Sequence, residues 1–337
     1  MRIEDSVSMR VVVIGGTGHI GTYLIPRMVA SGHEVLNVSR SQRAPYRDHG
    51  AWKQVANIQL DRATEERASR FGKQIRDLRP DVVIDLICFT LESAQNLTAA
   101  LRGEVQFFIH CGTIWVHGPS VQVPTTEDVP RRPFGDYGIQ KAAIEDFLLR
   151  EARLNGFPAV ILHPGHIVGP GWAPLNPAGH FNPEIFQRLA NGEELCLPNL
   201  GLETVHHVHA DDVAQAFAQS LANRSVAIGE SFHVVSGAAL TLRGYAEAVA
   251  GWFGQKAKLK FLPWGEWQRT VSKEEADATW DHIAHAPNCS IEKARRLLDY
   301  RPRYTSLEAV HESLLWLIDN KKIDLAAGNA ALADGDV

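Results

Sequence analysis

Tyr137 and Lys141 stand four residues apart, a spacing that puts both side chains on one face of a helix. The pair could move a proton. A phenol ionises near pH ~10 and must be pushed down to act as a base near neutrality, and an adjacent ammonium favours the phenolate. A second stretch with chemical potential lies near the start of the chain, where the apolar run of residues 11–14 meets Gly15, Gly18 and Gly21. One glycine permits a tight turn, one lets backbone N–H groups approach a pyrophosphate, and one lets the next helix pack closely on its strand. Thr17, His19 and Ile20 lie between them, at a helix N-terminus that faces phosphates with its positive dipole end.

These residues need a frame to hold them. Residues 11–14 read as a buried parallel strand. Ile20, Tyr23, Leu24 and Met28 give the next segment an apolar helical face, Gly32 stops it, and Val35, Leu36 and Val38 begin a second strand, completing a βαβ unit. Pro26 falls inside that helix and is expected to bend it. The second strand ends at Ser39 and Arg40, with Arg43 close behind. A carboxylate there would accept from a free ribose 2′-hydroxyl, whereas a guanidinium favours a 2′-phosphate. NADP is therefore expected over NAD, with solvated loop charges as the plainer alternative.

Residues 57–60 read as a short strand ending at Asp61, which is placed to meet an adenine amino group, and residues 65–78 as one charged surface helix. The run 82–88 is the next buried strand. Asp85 inside it would be costly unpaired, so it is expected near the strand end with hydrogen-bond partners, followed by Leu86. Leu91–Leu101 reads as a helix, and residues 105–109 start a strand that carries the chain to Thr113. The repeated alternation points to an α/β fold with a doubly wound parallel sheet, whose ligands sit at the C-terminal strand ends. Thr113 falls at such an end.

Composition narrows the classes. With 337 residues, 45% of them apolar, the chain can bury one large core and carry a smaller unit beside it. A net charge of −5 offers no basic face to a nucleic-acid backbone. No run approaches the ~20 apolar residues of a membrane span, and residues 1–9 lack the apolar centre of a signal peptide and read as a disordered tail. Cys88, Cys111, Cys196 and Cys289 are scattered without paired spacing, which argues against a zinc site or a disulfide framework and fits a reducing cytoplasm. His163, His166, His180, His206, His207 and His209 invite a metal reading. His207 and His209 would share a strand face that His206 leaves, so no metal is expected and the histidines are read as neutral pocket-lining or packing groups.

Taken together, Gly15/Gly18/Gly21, Thr113 and Tyr137-x-x-x-Lys141 make the chain resemble an extended short-chain dehydrogenase/reductase of the NAD-dependent epimerase/dehydratase family. The stretches 162–170, with Pro164 and His166, 208–214 and 231–241 resemble later segments of that family. The resemblance implies a Rossmann domain over residues 10–170 and 203–236. It implies a substrate-binding subdomain over 171–202 and 237–320, with a frayed tail over 321–337. Tyr137 would transfer the proton, Thr113 would hydrogen-bond the reacting oxygen, and Lys141 would hold the nicotinamide ribose while lowering the tyrosine's pKa. The family's homodimers imply one here.

Departures from the family narrow the reaction. Ile114 and Trp115 follow Thr113 where dehydratases place acidic residues, which disfavours dehydration and decarboxylation. His166 and residues 203–206 replace the Asn and Arg that hold a substrate diphosphate in nucleotide-sugar epimerases, which weakens a nucleotide-linked sugar as substrate. Trp115, His166, Trp172, Asn176 and His180 are the expected substrate contacts, presenting an aromatic face and polar hooks to a sugar-like or hydroxy-carbonyl molecule. The leading expectation is an epimerase. An NADPH-dependent carbonyl reductase and a non-catalytic cofactor- or RNA-binding relative are the alternatives.

Overall fold

Strands β1 (Arg10–Ile14), β2 (Glu34–Ser39), β3 (Ala56–Gln59), β4 (Val82–Asp85), β5 (Phe107–Cys111) and β6 (Ala159–Pro164), with a last strand Ser231–Val234, form one sheet. The computed structural model describes residues 8–41 and 43–323. Every pairing in this seven-stranded sheet is parallel, in the spatial order Ser231–Val234, β6, β5, β4, β1, β2, β3. The order reverses between β1 and β4, which opens a crevice at their C-terminal ends. β1, β4, β5 and β6 are buried along nearly their whole length, because helices cover both faces.

Helix α1 (His19–Ala30) and helix Ala210–Ala222 pack on one face, burying Val11, Val13, Leu24, Ile25 and Phe217. Helices α2 (Arg62–Arg67), α3 (Phe71–Asp77), α4 (Leu91–Leu101) and α5 (Gly135–Asn155) follow in order. The last three close the other face over Val12, Ile14, Phe71, Leu97, Ile144 and Leu148. A separate core forms around Phe186, Leu189, Tyr245, Val249, Trp267 and Leu314. There Glu194–Pro198 pairs in parallel with Lys258–Leu262.

Three sequence expectations need correction. Residues 65–78 are not one helix. Asp61 caps α2 through Thr64 N–H, and Ser69 turns left-handed at φ 56° before α3 starts at the buried Phe71. Met9 is no tail residue: its side chain is buried in the core and its carbonyl accepts from Glu34 N–H. Order also extends through Ile323, which is 6% exposed, while residues 1–7 and 324–337 lie outside the described residues. Helix α1 continues through Pro26.

Gly21 is where α1 meets the turn. A Cβ there would sit 2.0 Å from the carbonyl oxygen of Gly16, a backbone atom that cannot swing away. Gly21→Ala is therefore expected to cost about 1–3 kcal/mol of stability through overpacking, and to push α1 off the strand it opens from. Urea unfolding of the variant checks this, and an unchanged midpoint would show that the helix yields freely.

Candidate active site

The glycine turn is built to receive an anion. Gly15 N–H donates to Val38 O and Gly16 N–H to the Asn37 side-chain oxygen, which ties the turn to β2. Among the described residues no side chain caps α1, and no acidic residue stands in its first turn, which leaves the N–H groups that open the helix suited to a ligand. Two cavities meet here, both lined by Gly15, Gly18, Ile87 and Phe89. The larger, about 630 Å³, is lined also by Thr17, Ser39, Arg40, Arg43 and Asp61. The smaller, about 230 Å³, is lined by His19, Ile20, Leu86, Thr113, Tyr137, Lys141 and Pro164. A dinucleotide fits this arrangement: an open helix N-terminus lies between a compartment edged with arginines and one holding a phenol and an ammonium.

Asp61 lines the large cavity while its carboxylate accepts from Thr64 N–H, a bond that holds it below the usual carboxylate range. Asp85 is the last residue of β4. It is buried but fully paired, accepting twice from Arg62 at 2.8 and 2.9 Å and once from Ile87 N–H. Arg62 also donates to Glu66, while its Nη2 has no hydrogen-bond partner among the described residues.

In the smaller cavity Lys141 is 1% exposed and donates to the carbonyls of Cys88 and Cys111, both at 2.7 Å. Two of its three ammonium hydrogens are thus spent on the strand ends, and one is left for the cleft. Burial holds its pKa below the usual lysine value. The Lys141 ammonium lies 5.8 Å from the centre of the Tyr137 ring. Tyr137 is pushed up to about 12, first by burial and then by Cys111, while the neighbouring Thr113 hydroxyl opposes the rise. The phenol is therefore proton-loaded at neutral pH.

Thr113 sits just past β5 and is held from behind. Its backbone N–H donates to His163 Nδ1 at 3.0 Å, which makes that nitrogen the acceptor and leaves Nε2 to donate to Glu145 at 3.0 Å. Arg131 clamps both oxygens of Glu145 and donates further to the carbonyls of Glu127 and Val129. This buried chain was missed in the sequence. Its one legible trace is that Glu145 lies four residues after Lys141, on the same face of α5.

A model of the NAD dependent epimerase/dehydratase family matches residues 11–234. The chain belongs to that family. Among curated relatives, a 2′-dehydrokanamycin reductase of Streptomyces kanamyceticus is 28% identical over 286 residues, spanning 83% of this chain and 77% of the relative. A chloroplast stem-loop binding protein of 41 kDa from Arabidopsis thaliana is 24% identical over 330 residues, spanning 92% and 80%. The solved structure of an epimerase from Methanothermobacter thermautotrophicus superposes with a TM-score of 0.70 at 20% identity, covering 94% of each chain, and so shares the fold. Relatives of the chain include sugar epimerases, dehydratases and reductases, which are nicotinamide-dependent enzymes of the extended short-chain dehydrogenase/reductase type.

The substrate side differs from the sequence expectation. Trp115 keeps its place beside Tyr137, with ring centroids 5.9 Å apart, and stacks on His285 at 4.3 Å. His166 accepts from His206 N–H through Nδ1 and lies 5.0 Å from the ring of His282. His282 and His285, three residues apart on helix Lys273–His285, thus pack against Trp115, the neighbour of Tyr137. Their H-x-x-H spacing was the available signal. Asn176 and His180 are not free hooks. They are buried and bonded to each other at 3.1 Å, and Asn176 also accepts from Ala178 N–H, so Asn176 and the Nδ1 side of His180 hold their own loop while His180 Nε2 has no partner among the described residues. Trp172 stacks on His19 rather than facing the Tyr137 wall. His206, His207 and His209 are likewise buried, their rings close to Ser236 O, Leu175 O and the Glu312 carboxylate.

Proposed function

We propose that this protein interconverts a carbinol and a ketone on a sugar-like or hydroxy-carbonyl substrate, with a bound nicotinamide dinucleotide, and acts as an epimerase. The observation that carries the reading is the joining of the glycine-turn cavity to one holding Thr113, Tyr137 and Lys141 together. The dinucleotide, when bound, supplies the hydride chemistry; the chain supplies position and proton control. Gly15, Gly18 and the first turn of α1, with Thr17, His19, Ile20 and Gly21, would hold the pyrophosphate. Ser39, Arg40 and Asp61 would line the adenosine side, and Leu86, Lys141, Pro164 and His166 the nicotinamide side. Thr113 would hydrogen-bond the substrate oxygen, and the Tyr137 hydroxyl would give or take its proton. Trp115, His166 and the neutral rings of His282 and His285 would form the wall against the substrate. Burial pushes His282 down to about 4 and also lowers His166 and His285, so this wall carries no charge near neutral pH.

Carbonyl reduction is the second reading, favoured by the proton-loaded state of Tyr137, which suits delivery of a proton to a carbonyl oxygen. Mass spectrometry of the small molecules released on denaturation separates the two. An epimerase returns its hydride to the same molecule and is expected to retain its dinucleotide. A protein that purifies empty and then binds NADPH favours the reductase, and one that takes up neither NADP(H) nor NAD(H) overturns both.

The arginines decide between dinucleotides. Arg40 and Arg43 line the large cavity and both are exposed, Arg43 with its guanidinium over the Tyr46 ring. Replacing both by Ala is expected to weaken NADP about 10- to 100-fold, the scale of losing charge-assisted hydrogen bonds, while NAD affinity stays within about twofold. Calorimetric titration with each dinucleotide checks it, and equal losses for both would remove the 2′-phosphate assignment. We further propose a homodimer through α4 and α5, and residence in a reducing cytoplasm, in keeping with four free cysteines.

A further inference from the structure

Three aromatic rings from distant parts of the chain meet beside the glycine turn. The Trp172 indole lies parallel to the His19 imidazole, with centroids 3.6 Å apart and planes 9° apart, and edge-on to Tyr46 at 5.1 Å. Tyr46 is itself 4.7 Å from His19 and carries the Arg43 guanidinium over its outer face at 4.5 Å. His19 is the first residue of α1, Tyr46 belongs to the segment after β2, and Trp172 belongs to the loop that leads into the second core.

The arrangement is anchored on every side. Trp172 Nε1–H donates to Ile167 O, the Trp172 carbonyl accepts from the Ser313 hydroxyl, and Tyr46 N–H donates to the Thr22 hydroxyl. Gly171 makes the close approach possible: its φ is +110°, and a Cβ there would lie 2.5 Å from the Tyr46 ring. His19 is neutral in this setting, pushed down to about 4 by burial first and by Arg43 second, so its ring stacks without a charge to solvate.

The position of the stack gives it a consequence. Arg43 lines the larger cavity and His19 the smaller, and the two cavities share the glycine turn. Of the three rings His19 alone lines a cavity, the smaller one, and Trp172 and Tyr46 pack behind it, so the stack ties the loop of the second core to the first residue of α1 beside the dinucleotide site. We propose that Trp172, Tyr46 and His19 form a clasp that sets the residence time of the dinucleotide, with Trp172 a positioning residue for the cofactor and not a substrate contact. The clasp rests on the dinucleotide reading given above, and it is the device an epimerase needs to keep its cofactor through repeated turnovers.

Stopped-flow release of NADPH from the full-length protein, chased with excess NADP and followed by NADPH fluorescence, tests it. Trp172→Ala is expected to release NADPH about tenfold faster, the scale of losing two aromatic pairs, and Trp172→Phe to restore most of the slow rate. Tyr46→Ala, which leaves the Trp172 loop intact, is expected to speed release several-fold. It carries the test alone if Trp172→Ala does not fold. Release from both folded alanine variants within twofold of the wild type overturns the clasp, as does a Trp172→Phe variant as fast as Trp172→Ala. A wild-type protein that takes up neither NADPH nor NADH overturns the dinucleotide reading itself, and the clasp with it.

Discussion

Replacing Tyr137 by phenylalanine is expected to lower turnover by about 10²- to 10⁴-fold, the range of a lost general acid–base group, while dinucleotide affinity stays within about twofold. The variant removes one oxygen and little else. The ring stays in place, and Lys141 keeps its bonds to Cys88 O and Cys111 O. The loss should fall on kcat, because the hydroxyl matters only where the proton moves. Fluorescence titration with NADPH gives the affinity and initial rates give kcat; wild-type rates in the variant would remove Tyr137 from the chemistry. The pH dependence has a definite sign. With the phenol pushed up to about 12, proton donation holds steady from about pH 6 to 9, and the reverse step, which needs phenolate, gains rate as pH rises across that window.

Glu145→Ala should be the most damaging change to stability, at about 3–5 kcal/mol. The Glu145 side chain is 3% exposed and is the only carboxylate shown paired with both Arg131 and His163 among the described residues. Without it the Arg131 guanidinium stays three-quarters buried with no counter-charge, and the His163 N–H loses its acceptor. The damage reaches the active site, because His163 holds the Thr113 backbone. Burial alone would raise the Glu145 carboxyl, but His163 and the hydrogen bonds from Arg131 and His163 outweigh it and hold the group well below the usual carboxylate range. A depressed folded-state pKa contributes stability above the unfolded value of about 4.3, and loses it as pH falls through the folded value. Urea unfolding between about pH 7 and pH 3 should therefore show a steeper acid loss in the wild type than in Glu145→Gln. Parallel curves would show that Glu145 contributes nothing to acid sensitivity.

What the chain itself determined is local. The apolar run into Gly15, Gly18 and Gly21 specifies a buried strand and a tight turn into a helix because strand burial and close backbone approach are decided within a dozen residues. Tyr137 and Lys141 share a face because helical pitch puts them there, and the alternation of strands and helices leaves the doubly wound sheet as the economical solution. Asp85 announced a partner for the same reason that any buried carboxylate does, though the identity of Arg62 did not follow.

The tertiary structure decided which polar groups find one another. Thr113 and His163 are 50 residues apart in the chain, and their contact depends on β5 and β6 being neighbours. Burial first and Cys111 second raise the Tyr137 phenol, while packing directs the Lys141 ammonium onto two strand-end carbonyls, an arrangement that no spacing rule contains. Asn176 and His180 turn inward, and Trp172 crosses to His19, because a side chain's partner is settled by what competes for it in the folded state. Periodicity and turn chemistry are short-range properties that survive in a linear string of residues. Pairing, desolvation and stacking are set by the distances between elements, and those exist only once the chain has closed on itself.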